Sequence, residues 1–189
     1  MFRNLIAGVA LASLAATAHA AFNIDQLMAG LAQHPGGRAK FVEKRTLAVL
    51  DRPLVATGEM TYTPPDRLEK RTLTPRPETL VLDRDQVSIE RDKRTYTINL
   101  ASRPEALAFV DSIRSTLAGN RAALEKNYTL QLAGSSEHWV LTLTPTAQRI
   151  ATLLQRITVS GAGDQIRTID YLLADGDRSE LTIEPLDPR

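Results

Sequence analysis

Few residues of this sequence have the types and spacing that chemistry needs. There is no Cys among the 189 residues. That excludes thiol catalysis, thiolate metal sites, disulfides and a lipid-modified cysteine. His19 falls within the first twenty residues. His34 and His138 each stand without a second ligand at metal-binding spacing. Glu137-His138-Trp139 has an acid and a base side by side, but it opens a strand, where the imidazole faces solvent. Gly161 and Gly163 have part of the spacing of a nucleotide-binding loop. They lie between two strands with no helix following, and a phosphate site needs that helix. Asp175-Gly176-Asp177 offers a carboxylate pair or calcium ligands, yet a tight hairpin turn demands the same residues. Asn127-Tyr128-Thr129 fits a glycosylation acceptor, a pattern of three common residue types. No nucleophile–base pair or metal site is readable, and no cofactor is expected.

Function must therefore be sought in the elements. From residue 39 to 100 the chain reads as one strand after another, over 41–50, 54–63, 67–74, 79–82, 86–91 and 95–100. Asp51-Arg52-Pro53, Pro64-Pro65-Asp66, Pro75-Arg76-Pro77 and Asp83-Arg84-Asp85 fall between them. Short strands separated by Pro and Asp predict an antiparallel meander. Gly58 in mid-strand predicts a bend or bulge. Strands resume with the alternations Tyr128, Leu130, Leu132 and Trp139, Leu141, Leu143, joined through Gly134-Ser135-Ser136. Ile157 and Val159, then 166–173 and 178–183, complete the set.

Three helices are predicted. Asn23 with Gln26 three residues on is a capping box, and Ile24, Leu27, Met28 and Leu31 follow on one face. Ser102-Arg103-Pro104-Glu105 has the same signature, before a stripe of Ala106, Phe109, Val110, Ile113 and Leu117 that Gly119 ends. Thr144-Pro145 reads as the start of a third helix, carrying Ile150, Leu153 and Leu154. So few helices cannot cover both faces of a sheet of nine to eleven strands. A strongly curved sheet wrapping toward a barrel, with helices at its mouth, solves the burial problem. Such barrels hold apolar ligands.

Arg3, the apolar stretch 5–16 and Ala18-His19-Ala20 have the layout of a secretory signal cleaved after Ala20, leaving 21–189 as one domain. The chain has 23 Lys and Arg, one of them Arg3, against 22 Asp and Glu. The mature part is thus balanced in charge, which gives no support for a nucleic-acid partner.

The run Phe41…Pro53-Leu54…Gly58-Glu59-Met60-Thr61-Tyr62…Pro65…Leu68…Pro75…Leu80-Val81-Leu82-Asp83 resembles the N-terminal half of the periplasmic lipoprotein carriers of the LolA family. Ile166-Arg167-Thr168-Ile169 and Asp175-Gly176-Asp177-Arg178-Ser179 are similar to that family's closing hairpin. The resemblance runs from about Ile24 to Ile183. It implies a mainly β (α+β) fold: one strongly curved antiparallel sheet forming an open, incomplete β-barrel with a helical lid. It implies a soluble, non-catalytic, monomeric carrier whose apolar cavity takes acyl chains of a lipoprotein or other acylated lipid. An inner-membrane transporter would load it and an outer-membrane receptor would unload it.

Three departures mark a divergent member. Pro64 stands where the family has a basic pair before the Tyr-x-x-Pro proline. Lys70 and Thr72 share the face of Leu68, which is aromatic in the carriers. Aromatic content is only 5%. The cargo suggested is a different acylated molecule, such as a glycolipid or polyene lipid. Alternation and the lid helix nominate Leu54, Met60, Tyr62, Leu68, Tyr96, Ile98, Phe109, Ile113, Trp139 and Leu141 as cavity lining. Two alternatives stay open: an enzyme on the same scaffold, using a titratable group such as Lys70 or Glu69, and a sensor that binds lipoprotein or a partner protein.

Overall fold

The computed structural model describes residues 22–186. The predicted signal segment 1–20 and the expected cleavage point before Ala21 lie outside the described residues.

Helix α1 (Ile24–Ala32) leads into six strands: β1 (Gly37–Thr46), β2 (Leu54–Thr63), β3 (Arg67–Thr74), β4 (Glu78–Asp83), β5 (Gln86–Arg91) and β6 (Arg94–Asn99). A single 3-10 turn (Leu100–Ser102), α2 (Pro104–Leu117) and the short α3 (Arg121–Leu124) follow. Then come β7 (Tyr128–Ser135), β8 (His138–Pro145), α4 (Gln148–Ala151), β9 (Leu154–Ala162), β10 (Gln165–Leu173) and β11 (Arg178–Pro185). All eleven strands form one antiparallel sheet in the order β6-β5-β4-β3-β2-β1-β11-β10-β9-β8-β7. The sheet curls but does not close, and β6 and β7 are its free edges. Chain order then imposes a crossing. The connection from β6 to β7 must pass from one edge to the other, and α2 lies on that connection.

Local chemistry sets the helix ends. In α1 the Asn23 side chain accepts from Gln26 N at 3.0 Å, and Gln26 returns the bond to Asn23 N at 3.0 Å. Leu27, Met28 and Leu31 are buried and join Phe41, Trp139, Leu141, Leu143, Ile157 and Ile169 in the main core. Gly119 ends α2 at φ +61°. A Cβ there would strike the backbone of Met28 and come within 2.9 Å of the Ala32 side chain, so α1 packs against this turn at backbone distance. Arg121 adds an ion pair to Asp25 at 2.8 Å.

Two helix readings are corrected. Ser102 does not cap α2: it closes the 3-10 turn, its hydroxyl donating to Asn99 O at 2.8 Å, and Arg103 occupies the cap without a side-chain bond. Thr144-Pro145 does not open a helix. Both residues end β8, the helix is the four-residue α4, and Leu154 begins β9 while Leu153 is exposed. Ladder pairing continues through Leu143 and Thr144 and overrides the proline signal.

Gly58 lies at a bulge. Pairing of β2 with β3 shifts from Thr57↔Thr74 to Gly58↔Thr72, leaving Leu73 as the extra residue. The bulge bends the sheet where Phe41 crosses it, and a Cβ on Gly58 would collide with the Arg71 carbonyl and approach Phe41 Cε1 to 2.9 Å. Gly58→Ala is therefore expected to lower stability by ~1–3 kcal/mol, the range for overpacking. Urea unfolding of the two proteins measures this.

Candidate functional site

The helices cover only part of the concave face. Between that face and α2 lies a cavity of about 650 Å³, within the ~300–1,000 Å³ typical of ligand sites. Inward positions of six strands form its wall: Glu43 and Arg45 from β1, Met60 and Tyr62 from β2, Leu68 and Lys70 from β3, Leu80 from β4, Ile169 and Tyr171 from β10, Leu181 and Ile183 from β11. Phe109, Ile113 and Leu117 of α2 also line it. The Phe109 ring sits 5.2 Å from that of Tyr171, tilted by 50°. The other stripe of α2 is committed elsewhere. Leu107 and Val110 pack on a second small core of Leu82, Val87 and Leu100.

Of the ten nominated residues, Met60, Tyr62, Leu68, Phe109 and Ile113 meet around this cavity. The other five do not line it. Trp139 and Leu141 are fully buried in the packed end of the sheet, with Trp139 Nε1 donating to Gly163 O at 2.9 Å. Leu54 (48% exposed) is on a lining strand but at its outer end, and Tyr96 (53%) and Ile98 (39%) are on the edge strand β6, which contributes nothing to the lining. Alternation assigns a side chain to a sheet face and says nothing about how far along that face the lid extends. Glu43, Tyr171, Leu181 and Ile183 were missed. The period of two from Phe41 carries the signal for Glu43, and the closing hairpin carries it for the rest.

One polar cluster interrupts the apolar wall. Lys70 and Glu43 form an ion pair, the Ser179 hydroxyl donates to the same carboxylate at 2.9 Å, and the Lys70 ammonium stands 4.8 Å above the Phe41 ring. β2 runs between the partners. Its inward residues there are Ala56, opposite Glu43, and Gly58, opposite Phe41, so the bridge has room to cross. Burial alone would push the Glu43 carboxyl up. The hydrogen bond and charge of Lys70, with Ser179 and Arg45, outweigh burial and hold it below its ordinary value. Burial, and then the charge of Glu43, raise the Tyr171 hydroxyl far above its usual range. Glu69 lies on the opposite face of β3 and pairs with Arg67 at 3.4 Å.

The weak chemical signals resolve into structure. Asp177 accepts from Ala48 N at 2.8 Å and Asp175 from Asp177 N at 3.0 Å, so both carboxylates are used in turns. Among the described residues no group of three His, Asp or Glu could hold a metal, and no helix is long and apolar enough to cross a membrane.

Residues 15–183 match the family described as outer membrane lipoprotein carrier protein LolA-like. The chain belongs to this family. No curated protein matches the sequence. Distant solved structures include a LolA superfamily protein from Nitrosomonas europaea (8% identity, 88% of this chain and 93% of that one, TM-score 0.44). Others are the MucA/MucB complex of Pseudomonas aeruginosa (14%, 88% and 57%, 0.46) and the lipoprotein LppX of Mycobacterium tuberculosis (12%, 86% and 97%, 0.44). In this LolA-like chain two of the three departures have definite places. Lys70 and Leu68 face the cavity, Thr72 falls on the same face of β3, and Tyr62 Oη donates to Pro65 O at 3.2 Å just past Pro64.

The lowered Glu43 value has a consequence for stability. A carboxyl depressed on folding contributes stability above its unfolded value, near 4.5, and loses it as pH falls through the folded value. Comparing urea midpoints at neutral pH and below pH ~4, the wild type is expected to lose more stability on acidification than Glu43→Gln. Equal losses would assign the acid sensitivity to other carboxylates.

Proposed function

We propose that this LolA-like protein is a periplasmic, non-catalytic carrier. It binds acyl chains of a lipoprotein or another acylated lipid in the cavity under α2 and ferries them from the inner to the outer membrane. An inner-membrane transporter would be its donor and an outer-membrane receptor its acceptor, with the carrier acting as a monomer.

The observation that carries this reading is the partly covered apolar cavity itself. Each methylene removed from water contributes roughly 0.8 kcal/mol, so a long acyl chain has a strong reason to enter. The same chain must leave again, which favours an adaptable lining. Met60, Leu68, Ile113 and Leu181 are flexible or aliphatic, and none holds a cargo by directional bonds. The lid supports release as well. Phe109 and Ile113 are only half-buried, so opening α2 sacrifices part of a contact rather than a packed core. The enzymatic alternative has less to draw on: Lys70 and Glu43 neutralise one another, and Glu69 is on the far face.

Replacing Phe109 or Ile113 with Ala should destabilise the empty protein by less than the ~2–5 kcal/mol of a fully packed site. A long-chain lipid should raise the unfolding midpoint of the wild type and both variants, and should recover part of the variants' loss, because cargo fills the vacated space. Thermal unfolding with and without lipid tests this. If lipid shifts none of the three midpoints, the carrier reading fails.

A further inference from the structure

The polar cluster in the cavity wall is unexplained by a purely apolar cargo. An ion pair withdrawn from water, even in part, is stabilising only when its partners are well satisfied, and aliphatic residues of similar size often serve an apolar wall better. Here the cluster is also unbalanced. Glu43 is the single carboxylate among Lys70, Arg45, Ser179 and Tyr171, all of which line the cavity; elsewhere in the lining Asp164 and Arg38 add one charge of each sign, with Arg38 paired to Glu59. Arg45 is two residues along β1 from Glu43, and its strand position pairs with Ser179. Its guanidinium makes no hydrogen bond or ion pair among the described residues, although its charge acts on Glu43. The Tyr171 hydroxyl likewise makes no hydrogen bond among the described residues, and its strand position also pairs with Ser179. Two cations and two hydroxyls thus surround one carboxylate, leaving one positive charge and several donors uncommitted. Apolar lining runs away from this point through Met60, Leu68, Ile113 and Leu181.

We infer that the Arg45–Lys70–Ser179–Tyr171 cluster is a head-group subsite: it takes the anionic group of a single-chain amphiphile whose acyl tail lies in the apolar part of the cavity. The inference rests on the carrier reading and narrows its cargo from acylated molecules in general to those with a carboxylate or phosphate close to the chain. Arg45, exposed on β1 and lining the cavity, is free to meet the anion directly. Lys70 turns part of its charge from Glu43 to the ligand, so Glu43 competes with the anion and tunes its affinity. Charge-assisted bonds of this kind are stronger than neutral ones and fix the orientation of an otherwise slippery chain.

The test is calorimetric titration of the purified protein with palmitate, hexadecanol and palmitoyl-lysophosphatidate below their aggregation concentrations. The variants are Arg45→Gln, Glu43→Gln and the paired Glu43→Gln/Lys70→Met. The double change removes both charges together and leaves no orphan, so it keeps the fold testable. The wild type should bind both anions more tightly than hexadecanol. Arg45→Gln and the double variant should lose roughly tenfold in anion affinity, the loss expected for one charge-assisted bond, with hexadecanol unaffected. Glu43→Gln alone should bind the anions more tightly. A preference for palmitate assigns the subsite to a carboxylate, and one for lysophosphatidate to a phosphate. Equal binding of all three lipids by every variant overturns the subsite and leaves the carrier reading intact. Binding of none of them overturns both.

Discussion

A curved sheet that does not close presents more apolar concave surface than a chain of this length has helix to cover. Every other feature of the molecule answers to that shortage. Eleven antiparallel strands end in the free edges β6 and β7, so the chain linking those edges must cross the opening. Coverage is unequal. At the β7–β9 end, α1 and α4 help seal Trp139, Leu141, Leu143, Ile150 and Ile157 into a dry core. Across β1–β4, β10 and β11 the cover is one stripe of α2, with Leu31 of α1 and the segment 34–36 at its side, and the remaining space is the cavity. The site is thus the unfilled part of the core, with the same alternation and the same aliphatic side chains as the filled part.

The ion pair between Glu43 and Lys70 is the exception on that wall, and its position is specific. It spans a strand whose inward residues there are Ala56 and Gly58, next to the bulge that bends the sheet. Desolvating two charges is costly unless their remaining bonding capacity is filled. Ser179 supplies one bond to the carboxylate and the Phe41 face receives the ammonium. Such a pair gives an otherwise apolar cavity wall one charged, hydrogen-bonding point.

Much of the fold was legible in the sequence because its turns are chemically loud. Strands 54–63, 67–74 and 86–91 fall within the predicted limits, each bounded by Pro, Asp or both. The α1 cap, the α2 stop at Gly119 and the Gly58 bulge were readable for the same reason: each depends on one or two local residues. Failures came where a distant contact decides. Pro145 ends a strand because β7 pairs with it, and no local signal carries that. The face of Trp139 and Leu141 was right, yet their end of the sheet is plugged, whereas Tyr96 and Ile98 lie past the lid. The extent of helical cover is a property of the whole chain. Glu43 was hidden by the ordinary expectation that a charged residue on a strand faces water.

On the proposed function, the space under α2 takes an acyl chain. Native mass spectrometry of the protein purified from a periplasmic extract without detergent, followed by identification of anything released, addresses it most directly. One bound acylated lipid per protein molecule is expected, lost when Ile113→Trp fills the cavity. Protein that is lipid-free as isolated, and that stays so when incubated with membranes, would contradict it.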